Sequence, residues 1–310
     1  MHEGSRKAIF AALLANAGIA VAKLAGFLLT GAASMLAEAV HSLADTSNQA
    51  LLLFGGSRSR REATTSHPFG YGRERYFWAF IVALVLFLLG GVFAIVEGID
   101  KLQHPHELES LPIAVGILLV AIVLEGFSLR TAIHEASEQR GDDSWWNFIR
   151  HSKGPELPVV LLEDTGALLG LVLALAGVGL GAITDNARWD AVGSLGIGIL
   201  LVVIAAVLVV EMKSLLIGES ASPSDVAAIE RAITSTPCVL NLIHLRTEHL
   251  GPEELLVGAK VELHHSLTLP EVADQIDEIE RHLRAAVPKA RVIYIEPDVT
   301  RTPPAEQSTE

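Results

Sequence analysis

Apolar residues dominate residues 1–213 in six long runs. The runs cover roughly residues 8–30, 33–55, 76–98, 111–134, 157–182 and 189–212. Each run is close to the ~20 residues that an α-helix needs to cross a ~30 Å hydrocarbon core. Helices are the expected elements because they satisfy their backbone hydrogen bonds internally in lipid. The pattern therefore predicts a transmembrane domain of six helices over residues 1–213.

The pattern changes after residue 213 to that of a small α/β domain. Residues 255–263 alternate apolar and polar positions, which is typical of a half-buried strand. Further strands are predicted at about 239–245 and 292–295, and helices at about 223–235, capped by Ser222, and at about 272–283. The order helix, strand, strand, helix, strand predicts a domain over residues 214–298 with helices on one face of its sheet. The polar residues 299–310 are expected to form a disordered tail.

The distribution of basic residues predicts the orientation of the chain in the membrane. The link between the second and third runs carries Arg58, Arg60, Arg61, Arg73 and Arg75. The link between the third and fourth runs has Lys101 as its one lysine or arginine. Because positively charged loops stay on the cytoplasmic side, the arginine-rich link is expected to be cytoplasmic. An even number of spans then places both termini in the cytoplasm.

Residues 135–156 separate the fourth and fifth runs and combine aromatic with polar side chains. Trp145, Trp146 and Phe148 lie among them. Tryptophan is enriched at the level of the lipid headgroups, so an interfacial segment is expected. A simple loop contact is the alternative.

Composition and charge narrow the class of protein. The 310 residues are 50% hydrophobic, which favours a membrane protein, and carry a formal net charge of −13, which argues against nucleic acid as a partner. The single cysteine, Cys238, excludes an intrachain disulfide and is interpreted as a small core residue. The first apolar run lacks a cleavable-signal pattern, so we expect it to be retained.

Ionisable residues interrupt two of the apolar runs. His41 and Asp45 are four residues apart in the second run, which places them on one helix face, and Glu163 and Asp164 interrupt the fifth run. A charge near the bilayer centre costs at least ~2.5 to 3.5 kcal/mol, so each needs a partner or a task. Imidazole nitrogen with carboxylate oxygen suits zinc, and also manganese, iron or cobalt. A structural ion pair between His41 and a carboxylate of the fifth run is the alternative.

Asn48 continues the polar face of the second run. It lies three residues after Asp45 and seven after His41. Asn48 is therefore a candidate additional ligand, or a donor to a ligand. An interhelical hydrogen bond is the alternative interpretation.

At these residues the sequence resembles the cation diffusion facilitator family of proton-coupled zinc and divalent-metal transporters. The resemblance covers nearly the whole chain: the apolar runs, the His41–Asp45 motif, the loop His67–Arg73, the acidic motif of the fifth run and the terminal α/β domain. It is closest to the branch that contains zinc transporter nine. It implies a six-helix bundle with a ferredoxin-like cytoplasmic domain, working as a homodimer that exports divalent cations in exchange for protons.

The resemblance also implies the residues of the transport site. His41, Asp45 and Asp164 match three of the family's four ligands, while Val160 stands where the family usually has histidine. Glu163 is the candidate replacement, although adjacent helical residues point about 100° apart, so a local distortion or another coordination would be needed. An oxygen-richer site would shift preference from zinc toward manganese or iron.

Other metal sites of the family are incomplete in this sequence. In the loop, His67 matches one ligand, but Thr64 and Tyr71 occupy two other ligand positions. In the α/β domain, positions that often hold histidine or aspartate hold Ile243, Lys260, Tyr294 and Glu296. No regulatory metal and no prosthetic group is therefore expected.

The competing functions belong to other classes of protein. An enzyme is not expected, because the apolar runs contain no HExxH motif and no nucleophile arrangement. A passive cation channel and a membrane scaffold without transport remain alternatives. The expected location is a bacterial inner membrane, with an organellar membrane kept open by the resemblance.

Overall fold

The computed structural model describes residues 3–31, 33–105 and 111–300, except for the side chains of residues 3–16, 33–34, 37–38 and 41. Its first part is helical. The helices are α1 (Glu3–Thr30), α2 (Ala33–Arg58), α3 (Glu74–Val85), α4 (Phe93–Gln103), α5 (Leu111–Arg140), α6 (Trp145–His151), α7 (Glu156–Thr184) and α8 (Arg188–Ile217). The expected tail falls mostly on residues 301–310, which lie outside the described residues.

Long apolar helices form the membrane part of the chain. Within the described residues, four helices are long and apolar enough to cross a membrane: Glu74–Gln103, Leu111–Arg140, Glu156–Thr184 and Arg188–Ile217. The described part of α1 adds a shorter apolar helix, Ala17–Thr30. The prediction of a membrane domain with several spans is thereby confirmed, and the number of six spans stays a prediction.

The third apolar run contains a feature that the sequence pattern did not predict. Between α3 and α4 the helix widens to a π-helical segment, Leu86–Val92, without interruption of the span. Gly91 in this segment faces Gly198 of α8 at close range, since a Cβ at Gly198 would lie 2.9 Å from the carbonyl oxygen of Gly91. Glycine at this crossing therefore permits backbone contact between the two helices.

The segment after the fourth run is more helical than expected. Helix α5 continues to Arg140, and α6 begins after Ser144, whose hydroxyl accepts a hydrogen bond from the Asn147 N–H. Phe148 is buried, whereas Trp145 and Trp146 are exposed. Phe148 therefore packs inside the protein, while the two tryptophans lie on its surface.

The α/β part follows the predicted order of elements. Helix α9 (Pro223–Thr234) precedes strands β1 (Val239–Gly251) and β2 (Glu254–Leu263), and helix α10 (Leu269–Ala286) precedes β3 (Ala290–Asp298). Strand β1 pairs with β2 in antiparallel fashion, β2 pairs with β3 in parallel, and the sheet order is β1-β2-β3. A parallel pair needs a crossover connection, which α10 supplies.

The α/β core lies between one face of the sheet and the two helices. Alternate residues of β2 are buried, namely Leu255, Val257, Ala259, Val261 and Leu263. They pack with Ile229 and Ile233 of α9 and with Ile279 and Leu283 of α10. Cys238 packs at the margin of this core, where burial raises the pKa of its thiol.

Helix capping fixes the starts of both α/β helices. The predicted cap is present, because the Ser222 hydroxyl accepts a hydrogen bond from the Asp225 N–H. Thr268 and Glu271 form a capping box at the start of α10. The backbone N–H of Thr268 donates to the Glu271 carboxylate and lowers its pKa.

The chain divides into two compact units whose boundaries are not a single cut. One unit comprises Met1–Arg61 and Glu74–Lys213, and the other comprises Glu62–Arg73 and Ser214–Glu310. Within the second unit, Arg73 forms an ion pair with Glu248 of β1. A Cβ at Gly72 would lie 2.6 Å from the Leu250 carbonyl oxygen, so glycine permits this close approach.

Candidate cation site in the membrane helices

A buried polar face runs along α2. Asp45, Asn48 and Ser42 are all buried, with Asn48 fully inaccessible to solvent. Their spacing of three residues places them on one side of the helix. His41 belongs to α2 by its backbone, but its side chain lies outside the described residues. The predicted polar face of α2 is therefore present at the residues whose side chains are described.

The two adjacent carboxylates of α7 point toward different helices. Glu163 Oε1 accepts a hydrogen bond of 2.6 Å from Asn48 Nδ2 of α2. Asp164 Oδ2 accepts one of 2.8 Å from the Ser128 hydroxyl of α5. Both side chains are buried because α7 packs against α2 and α5 at once. Glu163 therefore reaches α2 from an uninterrupted helix, on a different side of α7 from Asp164.

A cavity of about 870 Å³ opens beside the Asp164 carboxylate. Helices α1, α2, α5 and α7 all contribute to its wall. The polar side chains among its lining residues include Lys23, Gln49, Ser128 and Asp164, and Val160 lies one turn before Asp164 on the same wall. The cavity thus gives the α7 aspartate an open space large enough for a hydrated ion.

A buried lysine and a buried glutamate accompany the site, and the sequence argument overlooked both. Lys23 of α1 is fully buried and donates a 2.6 Å hydrogen bond to the Ser42 hydroxyl. Its Nζ lies 3.7 Å from Oε1 of Glu125 in α5. The signal was available, since each is an ionisable residue within an apolar run.

Acidic side chains outnumber basic ones around Asp45. Asp45 is close enough to Glu163, Glu125, Asp164 and Lys23 to interact electrostatically with all four. A low-dielectric environment strengthens such interactions, so a surplus of carboxylates attracts cations strongly. This arrangement suits a site for a positively charged substrate.

Metal-coordination geometry is not fully formed among the described side chains. Within that set, no three His, Cys, Asp or Glu side chains converge as a metal-binding group. The Asp164 and Glu163 carboxylates instead bond to the neutral donors Ser128 and Asn48. Coordination by these residues would therefore require an exchange of hydrogen-bond partners.

The histidine of the loop contacts its neighbours in the second unit. The His67 ring packs on the Tyr71 ring with centroids 4.6 Å apart, and Thr64 pairs with His67 through the backbone. His67 is therefore held by contacts with its neighbours in the loop.

Lys260 of β2 forms ion pairs with two acidic side chains of β3. Its Nζ lies 2.9 Å from Oε1 of Glu296 and 3.0 Å from Oδ2 of Asp298. Hydrogen bonds to these carboxylates raise the pKa of Lys260. The ammonium group therefore occupies the space beside these two acidic groups.

Membrane-crossing helices around a buried acidic cluster, followed by an α/β unit, define an integral membrane protein suited to handling cations. Residues 9–217 match the cation efflux transmembrane domain, and residues 221–298 match the cytoplasmic domain of cation efflux proteins. The chain belongs to the cation efflux family. It is a multi-pass integral membrane protein with a small α/β domain, and the family predicted from sequence is confirmed.

Similar proteins occur in animals and bacteria. The chain is 36% identical over 262 residues to the mitochondrial proton-coupled zinc antiporter SLC30A9 of Mus musculus, covering 84% of this chain and 46% of the relative. It is 27% identical to the zinc transporter ZitB of Pectobacterium atrosepticum, covering 82% and 75%. It is 25% identical to the cation-efflux pump FieF of Klebsiella pneumoniae, covering 98% and 95%.

These similarities bear on the predicted class of protein. The chain spans about half the length of the mitochondrial relatives that it matches. Family membership and the names of the relatives agree with a transport protein rather than an enzyme. The predicted likeness to the zinc transporter nine branch is also confirmed.

Proposed function

We propose that this protein exports divalent cations, zinc first among them, in exchange for protons by alternating access. The observation that carries the proposal is the burial of Asp45 and Asp164 on neighbouring membrane helices, with Asp164 lining a cavity. Two of the relatives are named for zinc, and one of these is named as proton-coupled. A buried acidic cluster is costly in a membrane, which favours a functional role over a structural one.

The proposed ligands are His41, Asp45 and Asp164. Glu163 and Asn48 are proposed as additional ligands or as partners that orient the ligands, since they already bond to each other at 2.6 Å. Zinc is the first candidate substrate, and manganese, iron and cobalt are the alternatives because Val160 supplies no imidazole.

Proton exchange follows from the chemistry of these ligands. Imidazole and carboxylate must be free of protons to bind a metal ion, so protons and metal compete for the same lone pairs. In the return state, protons would neutralise the buried carboxylates that the metal neutralises in the loaded state. One site can therefore serve both substrates in turn.

The wider architecture is proposed by analogy with the family. We assign residues 1–213 to a six-helix transport domain and residues 214–298 to a ferredoxin-like cytoplasmic dimerisation domain, working as a homodimer. The arginine-rich link supports cytoplasmic termini. A bacterial inner membrane is the proposed location, and the mitochondrial relatives make an organellar membrane the alternative.

The proposal is tested with purified protein in liposomes. Uptake of zinc, manganese, iron(II) and cobalt is measured under an imposed pH gradient and without one. We expect gradient-dependent zinc uptake that Asp45→Ala abolishes, with Asp142→Ala, a change at an exposed acidic residue, as the matched control.

Each alternative outcome has a definite meaning. Metal flux that ignores the proton gradient would indicate a channel. Normal flux in a correctly folded Asp45→Ala protein would refute the site assignment. Absence of flux for all four metals in the wild type would refute the transport proposal itself.

A further inference from the structure

The pairing of Lys23 with Glu125 places a basic side chain next to the proposed cation site. Lys23 is fully buried and Glu125 is 5% exposed, within apolar stretches of α1 and α5. Lys23 also lines the cavity that Asp164 lines. Burial of an ion pair is weak evidence for stability, because desolvation offsets much of the attraction. Its position beside the cavity therefore points to a role in handling the substrate.

We infer that Lys23 is an internal counter-cation that weakens substrate binding and so permits release, and that Glu125 positions it. This inference rests on the proposed cation transport. Ser42 and Glu125 provide the ammonium with two of its contacts, at 2.6 Å and 3.7 Å. The acidic groups that interact electrostatically with Lys23 are Asp45 of α2 and Glu125 itself, and Asp45 in turn interacts with Glu163 and Asp164 of α7.

The electrostatic consequence has a definite sign for each residue. A divalent cation in the cavity is repelled by the ammonium and attracted by the carboxylates. Loss of the lysine charge should tighten substrate binding and slow release. Loss of the glutamate charge should do the reverse, because the ammonium then acts on the site without compensation. A purely structural ion pair predicts damage of the same kind from either change.

The test measures KM and maximal rate of zinc uptake in liposomes for three single variants. We expect Lys23→Gln to lower KM by at least about tenfold and to lower the maximal rate. We expect Glu125→Gln to raise KM by a similar factor. Lys23→Arg keeps the charge and should stay within about twofold of the wild-type KM. Lys101→Gln is the matched control, because Lys101 contacts the Gly31 carbonyl oxygen and is not among the residues that line the cavity.

A double variant keeps the test decisive if Lys23→Gln fails to fold. Lys23→Met with Glu125→Gln removes both charges, which buried pairs often tolerate. Its KM should lie about tenfold below that of Glu125→Gln. Equal KM values in these two proteins, or KM shifts of the same sign in Lys23→Gln and Glu125→Gln, would overturn the inference. Zinc uptake by the wild type in the same assay separates that result from failure of the transport proposal.

Discussion

Replacing Val160 with histidine would place an imidazole where the resemblance to the family implies one. Val160 is half-buried, lies one helical turn before Asp164, and lines the same cavity of about 870 Å³. The spacing of four residues places the new ring and the Asp164 carboxylate on one helix face, close enough to bind one ion. Because the ring would face an open cavity, we expect a folding cost of about 1 kcal/mol.

The size of the effect follows from the ligand type. Imidazole favours zinc over manganese, whereas carboxylate and amide oxygens suit manganese well. Loss of a group that merely orients a ligand changes metal affinity about 10-fold to 100-fold, so a direct ligand should change it at least as much. We therefore expect the zinc-to-manganese uptake ratio to rise at least about tenfold, or ~1.4 kcal/mol.

Competition uptake in liposomes measures this ratio directly. Zinc and manganese are supplied together under a pH gradient, and both are quantified inside the vesicles. Val160→Phe is the matched control, since it adds a ring of similar shape without a nitrogen donor. A folded, active Val160→His protein with the wild-type ratio would refute the reasoning that Val160 sets the metal preference.

Three further predictions address other parts of the molecule. Glu163→Gln keeps an oxygen that accepts the Asn48 hydrogen bond but removes the charge, so zinc uptake should fall about tenfold; unchanged uptake would assign Glu163 to packing alone. Burial alone would raise the pKa of Asp225, but hydrogen bonds from Lys289 and Ser222 outweigh this effect and lower the pKa. The ionised Asp225 carboxylate therefore stabilises the folded protein at neutral pH, and this stabilisation is lost as the pH falls through the folded-state pKa of Asp225. Asp225→Asn should therefore weaken amide-exchange protection of α9 by about 1 to 2 kcal/mol at pH 7 in the full-length protein, and a difference that did not shrink as the pH was lowered through the folded-state pKa would contradict this account. Gly198→Val places a Cβ 2.9 Å from the Gly91 carbonyl oxygen and should lower the thermal stability of the protein by about 1 to 3 kcal/mol, whereas Gly179→Val, at a glycine with open space around it, should not.

The sequence predicts the elements of this fold well because their periodicities are strong. The alternation over residues 255–263 corresponds to strand β2, and the Ser222 cap marks the start of α9 as expected. The π-helical segment Leu86–Val92 was not predictable from hydropathy, since its residues are as apolar as those of a regular helix. Tertiary contact with α8, rather than local preference, explains the need for glycine there.

The candidate site was predictable in part for a different reason. Asp45 and Asp164 could be found because charges are expensive in apolar runs. The same rule applies to Lys23 and Glu125. Each is the single ionisable residue in its part of the apolar run, with no second one at helical spacing, so the sequence pattern did not single them out. The directions of Glu163 and Asp164 could not be derived from helical geometry alone. They depend on α7 having packed neighbours on two sides.

The inclusion of Glu62–Arg73 in the second compact unit has a consequence for the order of folding. Arg73 and its partner Glu248 are 175 residues apart in sequence, so this contact cannot form until most of the chain has been synthesised. The connection that follows α2 must therefore wait through the synthesis of the later membrane helices before its partner strand exists. Closing so long a loop is slow, because the chain loses conformational entropy before the Arg73–Glu248 contact contributes any stabilising energy. A chain that is cut after Lys213 would lose the surface on which this connection packs, so residues 62–73 need the α/β elements for their own structure.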